Sequence, residues 1–127
     1  GTNDGGAIHQ PPWRNPATGE SFRQTADPAG RQAFQDEAAA FLHQLREKNP
    51  KAFLLWAYGM LGRDMAEPIR QAVSRYQQES GDRRAAFLLL PDTTPETIGS
   101  RGHSGKKAHA LAAQLLAHTL KTLWEEE

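Results

Sequence analysis

The chain has 127 residues, which is enough for one domain with its own hydrophobic core and too few for two domains of ordinary size. Lysine plus arginine and aspartate plus glutamate total 15 each, so no net field attracts nucleic acid or an anionic membrane. The absence of cysteine excludes disulfides, cysteine-based zinc sites and thiol nucleophiles within this sequence. The composition therefore favours a single domain that binds neither nucleic acid nor a membrane.

Residues 1–30 are rich in turn-forming residues and contain nine of the 19 glycines and prolines of the chain. Such a composition predicts a long loop rather than a regular element. Loops of this length in compact domains are often functional. We therefore divide the domain, residues 1–127, into a loop over a site at 1–30 and a folded body at 31–127.

The body begins with a helix and a strand. Asp27 followed by Pro28 is typical of a helix start, and apolar residues then recur at helical spacing as far as Asn49. The continuous apolar run AFLLWAY, residues 52–58, is typical of a parallel strand that is buried on both faces. The first part of the body is therefore predicted to be a helix that leads into a central strand.

The same alternation continues to the end of the sequence. A second helix is predicted to begin at Asp64 or Glu67 and to stop at the sequence ESGD, and AAFLLL at 85–90 predicts a second buried strand. A last helix is predicted to begin near Ser104. Its predicted inner face consists of Ala108, Leu111, Ala112, Leu115, Leu116, Leu120 and Leu123.

Alternating helices and strands predict an α/β fold with a parallel sheet that is covered by helices on both faces. Two strands alone leave open edges and provide little sheet for three apolar helices to cover. We therefore expect further strands before residue 1, with the sequence GTND at 1–4 as the loop that leaves one of them. Ligands in such sheets bind at the carboxyl ends of the strands.

Two residues near predicted strand ends are suited to chemistry. His103 lies between glycines just before the last helix, and its near-neutral pKa range as a residue type suits a general base. Asn3 lies in the segment that we expect to follow a missing strand. The alternatives are a surface histidine at 103 and an ordinary turn residue at 3, since asparagine beside glycine is common in turns.

Three segments together resemble the SGNH (GDSL-like) hydrolases: GTND at 1–4, NPKAFLLWAYGMLG at 49–62 and GSRGHSGKKAH at 99–109. Within that superfamily the chain is most similar to the carbohydrate esterases that deacetylate sugars. The resemblance implies a flavodoxin-like three-layer sandwich, of which this chain is the C-terminal portion. It also implies ester hydrolysis through a serine acyl-enzyme, without a cofactor, in a secreted or periplasmic protein.

The resemblance assigns roles to individual residues. Asn3 matches the asparagine that donates to the oxyanion, and His103 matches the catalytic base. The family often places aspartate where this chain has Ser100, so Ser100, a backbone carbonyl or Asp92 remain as candidates for orienting His103. Both roles are physically reasonable, because an oxyanion needs nearby donors and a serine hydroxyl needs an adjacent base.

The first loop contains candidates for contacts with the substrate. Trp13 and Asp4 lie there, and an aromatic ring such as Trp13 either stacks on a sugar or only anchors the loop. The spacing of the histidines does not align two of them on one helix face, so we expect no metal site.

The family nucleophile lies in a Gly-Asp-Ser block, and these 127 residues contain no such block. We therefore expect the N-terminal half of the same hydrolase to be the partner that provides the serine. That half is either a separate chain or a segment outside these 127 residues. The expected substrate is an acylated carbohydrate or another small ester, and the chain alone is expected to be inactive. The alternative is a carbohydrate-binding or interaction module that keeps the fold and has lost catalysis.

Overall fold

A computed structural model describes residues 1–11, 14–21 and 28–125 of the chain. The described residues form an alternating series of helices and strands, as the sequence predicts. In chain order these are α1 (Thr2–Ile8), α2 (Pro28–Lys48), β1 (Leu54–Gly59), α3 (Ala66–Ser80), β2 (Ala85–Leu90), a short 3-10 helix (Ser100–Gly102) and α4 (Lys106–Glu125).

The two strands of the described chain form one parallel sheet. Their register runs from Leu54 opposite Ala85 to Gly59 opposite Leu90. Parallel strands need a crossover connection, and α3 provides it between β1 and β2. The predicted α/β fold class is therefore confirmed, and this arrangement fits part of a flavodoxin-like sandwich.

The core lies around α3, which contacts α2 and both strands. Met65, Ile69 and Tyr76 have side chains that are essentially inaccessible to solvent. Burial of one such large side chain contributes about 1.5–3 kcal/mol to folding. The helical stripe on α3 therefore joins α2 to the sheet, and this packing fixes where the strands end.

Helix α1 lies inside the segment that the sequence assigns to a loop, so that prediction is wrong for residues 2–8. The two glycines of α1 disfavour a helix by about 1 kcal/mol each, which is why the sequence does not predict it. Tertiary contacts compensate, because a Cβ atom at Gly1 would lie 3.0 Å from the ring of Tyr58 and one at Gly5 would lie 3.4 Å from Cβ of Asp64. The small residues allow α1 to pack closely on the body.

Helix α4 is apolar along one face, but the described chain covers little of that face. Only Ala108 and Ala112 are buried, whereas the side chains of Leu111 and Trp124 are 47% and 67% exposed. The predicted inner face of the last helix is therefore only partly internal here. Among the described helices, none is both long enough and apolar enough to span a bilayer.

Candidate active site

The carboxyl ends of β1 and β2 lie side by side, and Gly59 determines how closely they approach. Gly59 has φ +136°, a conformation that side-chain-bearing residues rarely adopt. A Cβ atom at this position would lie only 2.6 Å from the carbonyl oxygen of Leu90. Glycine is therefore required here, and the loops that leave the two strands start close together.

Those two loops are bonded to each other through backbone and side-chain groups. We call residues 60–65 the β1–α3 loop and residues 91–105 the His103 loop. The amide of Thr93 donates to the carbonyl oxygen of Met60 at 2.9 Å. The carboxylate Oδ1 of Asp92 accepts from the amide of Gly62 at 3.0 Å. The His103 loop is thus attached to the β1–α3 loop close to the strand ends.

Helix α1 contacts the same edge of the sheet through the side of the helix that carries Gly1 and Gly5. His9, just after α1, lies with Nε2 3.4 Å from Oδ2 of Asp64 in the β1–α3 loop. Asn3 is exposed, and helical geometry turns its side chain away from the glycine face. The β1–α3 loop therefore holds both α1 and the His103 loop, so the backbones of Asn3 and His103 belong to the same edge of the sheet.

The side chain of His103 is exposed and is oriented by its own loop. Its ring Nδ1 lies 3.2 Å from the carbonyl oxygen of Arg101. A carbonyl oxygen only accepts hydrogen bonds, so Nδ1 carries a proton in this contact, and the lone pair of the neutral ring is then on Nε2. In a neutral imidazole, this contact selects the tautomer that a general base needs.

Arg101 has φ 54° and ψ 34°, which is the left-handed region. Met60, in the neighbouring loop, has φ 72°, and these are the two residues other than glycine with positive φ in the described chain. Such conformations cost about 1–3 kcal/mol and cluster at functional sites. Both carbonyl oxygens accept bonds from the His103 loop: that of Met60 from the amide of Thr93, and that of Arg101 from the ring of His103.

The predicted orienting residues have different contacts from those expected. The carbonyl oxygen of Ser100 accepts from the amide of His103 at 3.1 Å, but the ring of His103 contacts Arg101. Asp92 binds backbone amides, and no hydrogen bond joins Asp92 to His103 in the described residues. The ring contact therefore corresponds to the remaining candidate, a backbone carbonyl.

The other predicted site residues are less closely defined. Asp4 lies in α1, where its Oδ2 lies 2.8 Å from the nitrogen of Gly1, and Trp13 lies outside the described residues. In the described residues, Asn3 and His103 share no hydrogen bond, so a common pocket stays a prediction. Residues 1–11, 14–21 and 28–125 contain no cluster of three or more histidine, aspartate or glutamate side chains that could hold a metal ion.

Sequence reasoning missed the groups that join the loops. Thr93 and Met60 take part through backbone atoms, which every residue type carries, so their identities give no signal. A weak signal exists for Gly62, because glycine in the loop after a strand often allows a close backbone contact. The pair Asp92 and Thr93 after β2 also has the composition of a side-chain-capped turn.

Comparison with known proteins gives one informative similarity. No family model matches the chain, and no curated protein is significantly similar to it. The chain is similar to the solved structure of an acetyl xylan esterase, Est2A, from the rumen bacterium Butyrivibrio proteoclasticus, with a TM-score of 0.88 and 34% sequence identity. The match covers 96% of this chain and 34% of the esterase chain, so this chain spans about a third of that protein.

The similarity confirms the coarser part of the prediction. A solved structural neighbour of this chain is a carbohydrate esterase, and the similarity extends over almost all of the 127 residues. The resemblance to the SGNH superfamily and the roles of individual residues stay predictions.

Proposed function

We propose that the chain is the C-terminal portion of a serine esterase of the SGNH type, which removes acetyl or other short acyl groups from a carbohydrate. The observation that carries this proposal is the similarity to an acetyl xylan esterase, with 34% identity over 96% of the chain. The tautomer of His103 supports it independently, because an imidazole with a free Nε2 lone pair can accept a proton from a hydroxyl.

The proposed chemistry begins with acylation of a serine. Nε2 of His103 accepts the serine proton while the serine oxygen forms a bond to the acyl carbon, and the carbonyl electron pair moves onto the carbonyl oxygen. The side-chain amide of Asn3 donates a hydrogen bond to the resulting oxyanion. When the intermediate collapses, the bond to the sugar oxygen breaks and that oxygen takes the proton from His103.

Deacylation uses the same groups with water as the nucleophile. His103 accepts a proton from water, and the water oxygen attacks the acyl carbon of the serine ester. A second oxyanion forms against Asn3, and its collapse returns the proton to serine and releases the carboxylic acid. The chain thus provides the base and one oxyanion donor, and it requires a serine from elsewhere.

The N-terminal half of the same hydrolase is the partner that we propose for the missing serine. The described part of β1 has no strand on the edge away from β2, so its outward backbone groups are available for a further parallel strand. An apolar groove of about 420 Å³ follows that edge and is lined by residues 53–57 and by side chains of α2. The esterase that resembles this chain is about three times as long, which is consistent with such a segment.

Acetate release from acetylated xylan tests the proposal. We expect turnover by the complete protein that contains this sequence and none by the 127-residue chain alone. Asn3→Ala should lower kcat about 100- to 1000-fold, because one oxyanion donor is lost while substrate binding stays intact. Asn49→Ala is the matched control: Nδ2 of Asn49 bonds the carbonyl of Leu45 at the opposite edge of the sheet, so activity should be unchanged.

Two outcomes would contradict the proposal. Wild-type turnover by Asn3→Ala would remove Asn3 from the oxyanion site, and turnover by the pure 127-residue chain would remove the requirement for an external serine. A complete protein that binds acetylated xylan without hydrolysing it would instead support the non-catalytic binding module. That second candidate is favoured only by the absence of a Gly-Asp-Ser block in these residues.

A further inference from the structure

We propose that Asp92 is a positioning residue, which holds the His103 loop in place by binding the backbone of the β1–α3 loop. The inference rests on the proposed function, because it takes His103 as the catalytic base. Oδ1 of Asp92 accepts from the amide of Gly62 at 3.0 Å and from the amide of Thr93 at 3.1 Å. Asp92 is partly buried and lies two residues after the end of β2.

The path from Asp92 to His103 is short and continuous. The hydroxyl of the next residue, Thr93, lies 2.8 Å from the hydroxyl of Ser104, which directly follows His103. On the other side, the amide of Gly99 donates to the carbonyl oxygen of His103 at 2.7 Å. The backbone of His103 is therefore fastened on both sides, and Asp92 joins this unit to the β1–α3 loop.

A carboxylate suits this role because its hydrogen bonds to backbone amides are charge-assisted and stronger than neutral ones. Without it, the partly buried amide of Gly62 would lose the partner that the structure gives it. No hydrogen bond joins the same carboxylate to the imidazole in the described residues, and ring Nδ1 instead lies against the carbonyl oxygen of Arg101. Asp92 therefore acts on His103 through the loop and not through its charge.

Two substitutions of Asp92 separate these roles. Asp92→Asn keeps an oxygen that can accept both amides, whereas Asp92→Ala removes the acceptor. In the complete protein we expect Asp92→Ala to lower kcat for acetylated xylan about 10- to 100-fold with KM little changed, because the base is misplaced. Asp92→Asn should stay within about threefold of the wild type, since the loop contact survives.

Glu96→Ala is the matched control in the same loop. Oε2 of Glu96 accepts from the hydroxyl of Thr94 at 2.8 Å, and no hydrogen bond joins this carboxylate to the β1–α3 loop in the described residues. This variant should keep wild-type kcat and KM. Circular dichroism at the assay temperature verifies that all three variants are folded.

The amide and alanine variants also distinguish positioning from direct orientation of the ring. An aspartate that orients a catalytic histidine loses roughly 10⁴-fold in kcat on change to asparagine, because the tautomer is then wrong. A large loss of kcat in Asp92→Asn, together with a shift in the acidic limb of the pH profile of kcat/KM, would overturn the proposal in favour of direct contact between Asp92 and the ring. Wild-type kcat in Asp92→Ala would overturn it as well.

Amide hydrogen exchange tests the tether independently of the proposed function. In Asp92→Ala the amides of Gly62, Gly99 and His103 should exchange at least about tenfold faster than in Asp92→Asn, because the loops separate more often. Unchanged exchange would overturn the tether even if activity falls. If the wild-type protein hydrolyses no ester, the proposed function fails, and faster exchange in Asp92→Ala still supports the tether.

Discussion

The two ends of the sheet are held together in different ways. At the amino end, charged side chains connect the segments before β1 and β2, with Arg46 at the centre. At the carboxyl end, the loops are joined by backbone groups, by Asp92 and by glycine and left-handed residues. The difference indicates that the amino end mainly stabilises the fold, whereas the carboxyl end holds the proposed functional groups beside backbone conformations that cost stability.

The amino end is organised by one guanidinium. Nε of Arg46 donates to Oδ2 of Asp82 at 2.8 Å, and its other nitrogens donate to carbonyl oxygens that include those of Ala52 at 2.6 Å and Arg84 at 3.0 Å. The side chains of Arg46 and Asp82 are only 19% and 11% exposed. Tyr76 adds a hydroxyl donor to Asp82 at 2.6 Å, so this carboxylate is fully engaged.

The largest expected effect is at the carboxyl end. His103→Ala should lower kcat on acetylated xylan by about 10⁴-fold, because general acid–base transfer through Nε2 is lost. The free energy of unfolding of this variant should be nearly unchanged, since the side chain of His103 is exposed and its ring makes one hydrogen bond to its own loop. His118→Ala, an exposed histidine on α4, is the control; equal losses in both variants would contradict a special role for His103.

The next largest effect is at the amino end, where we expect a loss of stability with little change in activity. Arg46→Ala should lower the free energy of unfolding by about 3–5 kcal/mol, because Asp82 becomes a largely buried charge without its cation. Urea denaturation measures the change, and kcat per folded molecule should stay near the wild-type value. Lys48→Ala removes an exposed pair with Glu47 and should change stability little. A similarly small effect of Arg46→Ala would refute the contrast between the two ends.

The smallest expected effect is a dependence of stability on pH. Burial alone would raise the pKa of Asp82, but hydrogen bonds from Tyr76, from the Arg84 backbone and from Arg46 outweigh it and hold the pKa below its ordinary value. A carboxyl with a lowered folded-state pKa stabilises the fold above its unfolded pKa of about 4, and this contribution is lost as the pH falls through the folded value.

The matching variant is Asp82→Asn. At pH 7 it should be less stable than the wild type by about 1.5–3 kcal/mol, which is the range for hydrogen bonds to charged groups. The difference should narrow as the pH is lowered below about 4, because the wild-type carboxyl is then protonated. Urea denaturation at several pH values measures it, and a difference that is constant from pH 7 to pH 3 would contradict this assignment.

The sequence predicts the body of the fold well because hydrophobic burial determines it. The prediction of β2 at 85–90 agrees with the structure to the residue, and α2 begins at Pro28 as expected. Helix α1 is missed because glycine opposes a helix locally, and contacts with Tyr58 and Asp64 reverse that preference. Local sequence reports local preference, so an element that depends on distant partners gives little signal.

The candidate site was predicted less completely. The sequence identifies His103 as a candidate base, because this histidine lies between glycines in a loop that follows a predicted strand. The acceptor for its ring is a main-chain atom, and the sequence does not reveal which carbonyl takes that role. The contact between Asp92 and Gly62 joins residues thirty positions apart, and it depends on the register of the two strands.

The carbonyl of Arg101 has a consequence for how this site tolerates change. Every amino acid carries a backbone carbonyl, so no substitution of a side chain can delete the acceptor that sets the tautomer of His103. Only the left-handed backbone at this position is open to selection, and glycine adopts it without cost while proline is excluded. The orientation of the proposed base is therefore encoded in a backbone torsion, and alanine scanning of the described residues would not remove this acceptor.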